Sequence, residues 1–578
     1  MNSHFFFKLF NSIKEEHEVD FAELELKSLF GEVKRVRNIF DIMKEEPFIN
    51  FMSEDLRVQD IFTYELPYGK FHGFYGHGNN PQNIAKLVRR LAYTREIFLI
   101  IKAQESPSNL LMNIFPEGII GKNVQFWMKN DWCLFRFITH QYFLEKSEYI
   151  NKVSRNEREI DRNIEILMNF PMNELYRIPS SATMKIGKRL QDYFAIREEE
   201  SLYLTHHIHP YKGKFHAKMC RALLNYVHPY EDGMVMDNFA GSGTLLLEAC
   251  LMGINSIGVE INPLSVLMSN VKCFSLSLDY EKLKKEVNKF IMRYHQLNDV
   301  DSIEMPNFIK KSLNEKTIKK IILAKKLLNE INDEKIKEFL LLNLSGAISD
   351  AVRRRRAEFN IILEERLKSS LLRIYTFKRL NEFLRIKLGN SITLMADARD
   401  MAQIEDEKID AIVTSPPYST AINYIENDKF QLELLKLASL DDLARKMIGH
   451  PDIKIYDYNM LYEVEKDDIS MILKEIIFEL ITHRRDVALR VYKFHKDMRS
   501  ALREMFRVLK RGGKCAIIIG NNNYRVDGRI IEVKNDEIII EMSEIMGFKL
   551  DFYLKRPLEK TSTGAIRYES IVILKKGN

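Results

Sequence analysis

Five consecutive residues, Thr414-Ser415-Pro416-Pro417-Tyr418, set a hydroxyl, two stiff carbonyl-bearing residues and an aromatic ring side by side. Neither proline offers an N–H, so the pair cannot continue a strand ladder. A hydroxyl oxygen and a carbonyl oxygen accept the two hydrogens of an amino group, and a tyrosine face stacks on a flat ring. The chemistry this set suits is work on a planar, amino-bearing ring. An apolar run, Ile409 to Val413, broken only by Asp410, comes before it. The turn therefore reads as the C-terminal tip of a buried parallel strand, where open α/β sheets bind their ligands.

A second constellation lies upstream. Met234 to Asn238 has the pattern of a strand, with Asp237 near its end. Phe239-Ala240-Gly241-Ser242-Gly243-Thr244 follows, and then a helical pattern from Leu245 to Met252. Glycines in such a turn let the backbone approach a ligand and present the helix N-terminus to it. The next strand, Ser256 to Val259, ends in Glu260, placed to take both hydroxyls of a ribose. Further on, the strand Ile392–Met395 leads into Ala396-Asp397-Ala398-Arg399. A carboxylate at Asp397 is placed to accept a hydrogen bond from the amino group of an adenine ring. There is no G-x-G-x-x-G and no P-loop lysine, which disfavours NAD and ATP.

The elements that must hold these residues divide the chain into three expected regions. Residues 1–180 read as an N-terminal α+β accessory domain. Phe21 to Phe30 has helical apolar spacing and stops at Gly31, Leu87 to Ile101 begins helical and ends β-like, and Val124–Met128 and Leu134–Ile138 have strand patterns. Pro179-Ser180-Ser181 marks the expected boundary. Residues 181–274 and 391–578 read as the catalytic domain. Residues 275–390 read as a helical insertion, with helices over Leu278–Gln296, Lys316–Asn329, Glu334–Leu344, Ser349–Glu364 and Leu367–Leu388. The insertion carries 25 Lys+Arg against 16 Asp+Glu, and its run Arg353 to Arg356 covers most of a helical turn. Most charge runs are solvated surface, but this asymmetry favours phosphate contact and a role in target recognition. A second helical stretch covers 419–510, its last helix expected to run to Arg511-Gly512-Gly513. The strand Lys514–Gly520, the helix Glu537–Met546 and the strands Lys549–Leu554 and Glu569–Leu574 close the chain, the last two as an antiparallel hairpin.

Thr205 to Phe215 holds His206, His207 and His209, with His216 directly behind. The spacing is poor for helical ligation and no acidic residue is close, so the stretch reads as a loop approaching a ligand, not as a metal site. No metal is expected elsewhere. The five cysteines have no C-x-x-C spacing and suit buried positions in a reducing compartment. No run of 18 apolar residues exists and no signal-peptide pattern opens the chain, so the expectation is a cytoplasmic protein without a membrane partner. At 578 residues, 46% hydrophobic and 29% charged, it has ample core, and a net charge of +6 neither demands nor excludes nucleic acid.

Phe239-Ala-Gly-Ser-Gly-Thr244, Glu260, Asp397-Ala-Arg399 and Thr414-Ser-Pro-Pro-Tyr418, in that order, resemble the exocyclic-amino DNA methyltransferases, which make N4-methylcytosine or N6-methyladenine. The likeness covers about 205–578, discounting the helical inserts. Ser-Pro-Pro-Tyr looks like the cytosine-N4 branch, since the adenine branch more often carries Asp or Asn at the first position. The insert between Glu260 and Asp397 departs from compact members of the family. The resemblance implies a Rossmann-like α/β sheet of seven strands with an antiparallel last hairpin. It implies S-adenosyl-L-methionine as cofactor, held by Asp237, Phe239, Ala240, Gly241, Gly243, Thr244, Glu260, Asp397 and Ala398, with Phe215 from the segment before the glycine turn. It implies Ser415, Pro416, Pro417 and Tyr418 as the catalytic turn, DNA as substrate, and a place as the modification half of a restriction system. Leu24–Gly31 and Leu91–Ile97 resemble the N-terminal domain of archaeal-type tRNA guanine-N2 methyltransferases, which keeps RNA as the alternative substrate. Ser415 speaks against that alternative, because those enzymes carry Asp there.

Overall fold

The computed structural model describes residues 3–52, 58, 62–63, 70–78, 83–102, 106–115, 124–169, 202–297, 304–354, 358–417, 424–448, 464–467, 469–558 and 568–577. Tyr418, Arg355, Arg356 and the stretch Pro179 to Ser181 lie outside them. The chain forms two compact units. The first takes Met1–Leu204, His216–Pro229 and Leu372–Lys387, and the second takes Thr205–Phe215, Tyr230–Leu371 and Leu388–Asn578. These limits differ from the expected ones at 180, 274 and 390. Most of the helical insertion is part of the second unit, and its last stretch belongs to the first.

The first unit is built on six strands: β1 (Ser3–Leu9), β2 (Lys34–Val36), β3 (Gly73–Gly78), β4 (Thr94–Lys102), β5 (Val124–Lys129) and β6 (Trp132–Ile138). They form an antiparallel sheet in the order β2-β3-β1-β4-β6-β5. The aromatic cluster Phe5-Phe6-Phe7 is central strand β1, fully covered. Apolar residues of one face, among them Phe6, Phe98, Ile100 and Leu134, pack with Phe48 and Phe62 from the helical segments. Lys8, Glu96 and Arg136 are buried together, with Arg136 donating to Glu96 at 2.7 Å. A buried charge is tolerated when paired in this way. The helix Glu16–Leu29 brings Glu25 to the backbone N–H groups of Ala92 and Tyr93 and to the amide of Asn225.

The second unit holds a seven-stranded sheet: β7 (Met234–Asp237), β8 (Asn255–Glu260), β9 (Ser391–Met395), β10 (Ile409–Thr414), β11 (Leu509–Gly520), then β14 (Phe548–Pro557) and β15 (Tyr568–Lys576). Between these two groups, β12 (Asn522–Val526) and β13 (Arg529–Val533) pair as a separate hairpin. The large sheet has the order β14-β15-β11-β10-β7-β8-β9. Strands β9, β8, β7, β10 and β11 are mutually parallel, and β15 runs antiparallel to both β11 and β14. This is the expected Rossmann-like methyltransferase sheet with a closing antiparallel hairpin. Cys515 to Ile519 and Ile571 to Leu574 are continuous buried runs, the pattern of strands covered on both faces. Chain order reverses between β7 and β10, so the crevice opens at their C-terminal tips.

Several elements differ from the sequence reading. The helix expected to end at Gly513 stops at Val508, and β11 starts at Leu509, because Leu509 already pairs with Ile409. The expected helix Ser349–Glu364 is two helices: Glu334–Arg353 ends, and Phe359–Leu384 begins. The hairpin β12–β13 was not anticipated. Its turn is Asp527-Gly528, both with positive φ (46° and 81°), and Asp-Gly between alternating apolar residues is the sequence signal for such a turn. Among the described residues, no helix is long and apolar enough to cross a membrane.

Candidate active site

The tips of β7 and β10 are tied together first. Thr414 donates its hydroxyl to the Asp237 carboxylate at 2.6 Å, and Phe239 donates its backbone N–H to the same oxygen at 3.0 Å. Burial pushes the Asp237 carboxyl up to about 7, against these two hydrogen bonds. Asp237 is thus the clasp between β7 and β10.

The glycine turn is shaped by close approach. Gly243 has φ +75°, and a Cβ there would lie 2.3 Å from Ser269 Oγ and 2.7 Å from Ser269 Cα. Only glycine lets this turn sit so close to the helix Pro263–Phe274. Lys272, on that helix and fully buried, donates to the Ser242 carbonyl at 2.7 Å. The burial, with Lys214 nearby, holds its ammonium well below the usual lysine range. The helix Thr244–Leu251 then starts with its N-terminus at the turn.

Glu260 at the tip of β8 is enclosed by three backbone N–H groups, from Gly241 (2.8 Å), Ile261 (2.9 Å) and Asn262 (2.9 Å). Burial raises its carboxyl above the usual range and these three donors oppose the rise. After β9, both carboxylate oxygens of Asp397 accept from Arg399, the shorter contact being 2.6 Å. Half-burial pushes Asp397 up, but Arg399 outweighs it and holds the carboxyl below its ordinary value. Asp397 is therefore ionised and acceptor-only at neutral pH, which suits an amino-group partner. On the opposite side, Ser415 Oγ lies 3.3 Å from the Ile518 carbonyl of β11 and donates to it.

These groups surround one solvent-open cavity of about 630 Å³ in the second unit. Of the expected site residues, Phe239, Gly241, Glu260, Asp397, Ala398, Ser415 and Pro417 line it. Asp237, Ala240, Thr244 and Pro416 are buried beside it without lining it, and Gly243 and Phe215 do not line it either. From the loop before the glycine turn, Tyr211 reaches the cavity instead of Phe215, with its hydroxyl 3.1 Å from where a Gly241 Cβ would sit. The histidines of that loop have structural partners: His206 pairs with Glu248 at 2.8 Å and His209 with Ser345 at 2.9 Å, both buried.

Sequence reasoning missed further lining residues. Asn238 is the last residue of the expected strand Met234–Asn238, next to the glycine turn. Asn262, two residues past Glu260, caps the helix Pro263–Phe274 through Leu264 N–H and donates to Asp428, whose carboxyl burial pushes up to about 6. Lys446, Met447 and Ile448 come from the end of the helix Leu440–Lys446, tied in by Arg399 donating to the Lys446 carbonyl. Nothing in their spacing sets those three apart.

A family model described as DNA methylase, of the N6/N4 type, matches residues 67–270. Over that segment the chain is similar to the exocyclic-amino DNA methyltransferases. The matched segment contains the glycine turn and Glu260 and ends before Ser415. A type II methyltransferase of Kocuria varians is 24% identical over 400 residues, covering 62% of this chain and 86% of that one. One from Geobacillus stearothermophilus is 24% identical over 427 residues, covering 64% and 82%. A solved Thermus thermophilus structure described as a DNA modification methylase is 16% identical with a TM-score of 0.18; it covers 32% of this chain, which spans about half of it (53%). A second Thermus thermophilus structure of that protein, 17% identical with a TM-score of 0.17, is described as complexed with S-adenosyl-L-methionine. The residues present fit that cofactor: a glycine turn closed to any Cβ at Gly243, and the carboxylates of Glu260 and Asp397 lining the same cavity, Asp397 held ionised by Arg399.

Proposed function

We propose that the protein methylates the N4 amino group of cytosine in DNA, with Ser415 and Pro416 as the hydrogen-bond acceptors for that amino group. The observation that carries this reading is the arrangement at Ser415. Its hydroxyl hydrogen is directed to the Ile518 carbonyl, so its lone pairs are left for an incoming N–H. It shares one cavity with Phe239, Gly241 and Glu260. Serine at the first position of the turn favours cytosine over adenine within this family.

An exocyclic amino nitrogen is a poor nucleophile, because its lone pair is delocalised into the ring. Ser415 Oγ and the Pro416 carbonyl accept its hydrogens and favour a pyramidal nitrogen. Positive charge develops on that nitrogen as it reacts, so these bonds strengthen in the transition state and accelerate the step. Pro417 fixes the carbonyl direction, and Tyr418 stacks on the base, worth about 1–3 kcal/mol. Glu260 takes the ribose hydroxyls and Asp397 the adenine amino group. When bound, S-adenosyl-L-methionine supplies an electrophilic methyl group. Duplex DNA hides the target nitrogen, so the base is taken out of the stack.

Ser415→Ala tests the assignment. Methyl transfer to DNA from labelled S-adenosyl-L-methionine falls about 10²–10³-fold, the loss typical of removing one transition-state hydrogen-bond partner. S-adenosylhomocysteine binding, measured by calorimetry, stays within about twofold of the parent protein. Undiminished transfer would overturn the role of Ser415.

A further inference from the structure

The hairpin β12–β13 takes no part in lining the cavity, and its two faces differ. Val526, Ile531 and Val533 are buried in the core that includes Ile477 and Leu480 of the helix Met471–Ile481. The opposite face presents Asn523, Arg525, Ile530 and Glu532 to solvent, with Ile530 65% exposed. Arg525 pairs across the hairpin with Ile530, and the exposed Arg529 precedes Ile530 in the chain. An exposed apolar side chain thus has one arginine opposite it and another next to it. The carboxylates around them are taken: Asp527 by His483 at 2.6 Å, Asp486 by Arg484 and Arg490, and Glu532 by the Asn521 amide at 3.3 Å. Among the described residues, Arg525 and Arg529 have no ion-pair partner.

The sheet says where this face lies. β11 runs parallel to β10, so its end at Gly520 is at the same edge of the sheet as the Ser415 turn. The hairpin starts at Asn522, four residues past the Ile518 carbonyl that accepts from Ser415, about 13 Å of extended chain. In the order β11-β10-β7-β8-β9 it leaves on the side of Ser415 away from Glu260 and Asp397. The helix Arg485–Val508 runs directly into β11, so its N-terminus lies at that same edge. Its 24 residues span about 36 Å, against about 23 Å for the paired run Lys514–Gly520, so its first turns stand beyond the strand tips. The His483–Asp527 pair ties the hairpin turn to the start of that helix. Hairpin and helix start together rise above the carboxyl edge of the sheet, next to Ser415.

We infer that β12–β13 is a DNA-contacting ribbon that grips the duplex beside the target base, with Arg525 and Arg529 on backbone phosphates and Ile530 against the base edges of the groove between them. This rests on the DNA-methylation reading and adds to it the element that holds the substrate. A two-stranded ribbon fits the major groove, about 12 Å wide. Uncommitted guanidiniums recognise phosphate, and an aliphatic side chain between them meets an apolar group such as a thymine methyl. Taking a base out of the stack requires the flanking duplex to be held, and the ribbon stands where the base must enter to reach Ser415.

Two readouts separate phosphate contact from general folding. Binding of the full chain to a fluorescein-labelled mixed-sequence duplex is followed by anisotropy across a salt series, and S-adenosylhomocysteine binding by calorimetry. Arg525→Gln combined with Arg529→Gln lowers the steepness of the log–log salt dependence by about 2 and leaves S-adenosylhomocysteine binding within about twofold of the parent. Ile530→Asp, at an exposed position, weakens duplex binding about tenfold by setting a carboxylate among the phosphates, again with S-adenosylhomocysteine binding retained. An unaltered slope in the arginine variant would overturn the inference. So would S-adenosylhomocysteine binding lost in parallel with duplex binding in both variants, which would assign the hairpin a purely structural role. A parent protein that binds no duplex would overturn the proposed function itself, a result distinct from the other two.

Discussion

Ser415 has one hydroxyl hydrogen, and the Ile518 carbonyl takes it. That leaves an oxygen able only to accept, as an amino-group acceptor requires. Asp237, two residues from the glycine turn, does a different job. It holds β7 to β10 through Thr414, from a buried position that raises its carboxyl to about 7. Its folded-state value is above the ordinary aspartate value of 3.8, so the protonated form is the better buried one. Stability linked to it is fully present below about pH 4 and is lost as pH rises through 7, by about 4 kcal/mol at most. Asp237→Asn keeps an acceptor for Thr414 and for Phe239 N–H but cannot ionise. Urea denaturation of the variant shows a smaller decline in stability between pH 4 and pH 8 than the parent. An unchanged decline would mean that Asp237 does not titrate in this range.

At the scale of elements, the insertion packs against the helix that follows the Ser415 turn. Phe308, on the short helix Asn307–Ser312, meets Phe430 edge to face at 5.4 Å, and Lys429 lies over both rings. Phe430 belongs to the helix Tyr424–Leu435, which follows the Ser415 turn in sequence. Lys310 and Lys311, on the same short helix as Phe308, are exposed. Replacing both with glutamine lowers the steepness of the salt dependence of DNA binding by about 2 in log–log slope, the release of two counterions. An unaltered slope would take these lysines off the DNA path. Much of this level was legible in advance. The individual strands, the glycine turn and the closing hairpin each rest on runs of a few residues, Ile409–Thr414 or Ile571–Leu574, whose burial dictates their composition. What escaped was set by distant contacts. Val508 ends its helix because Leu509 pairs with Ile409, and Asn238 joins the cavity only once the strand tips are brought together. Tyr211 takes the place expected of Phe215 because the loop's histidines anchor it to Glu248 and Ser345.

At the scale of the whole molecule, two units with different sheets share one chain. The first is an antiparallel six-stranded sheet and the second carries the methyltransferase sheet, its cavity and the basic insertion's helices up to Leu371. Every described residue proposed to touch cofactor or base lies in the second unit. The polymer and the base are the central claim, and chemical identity of the product decides both. The protein is incubated with S-adenosyl-L-methionine and, separately, with duplex DNA and with bulk tRNA, and the digested nucleosides are analysed by mass spectrometry. The account predicts N4-methyldeoxycytidine from the DNA and no new methylated nucleoside from the tRNA. N6-methyldeoxyadenosine, or N2-methylguanosine from tRNA with unmodified DNA, would contradict it.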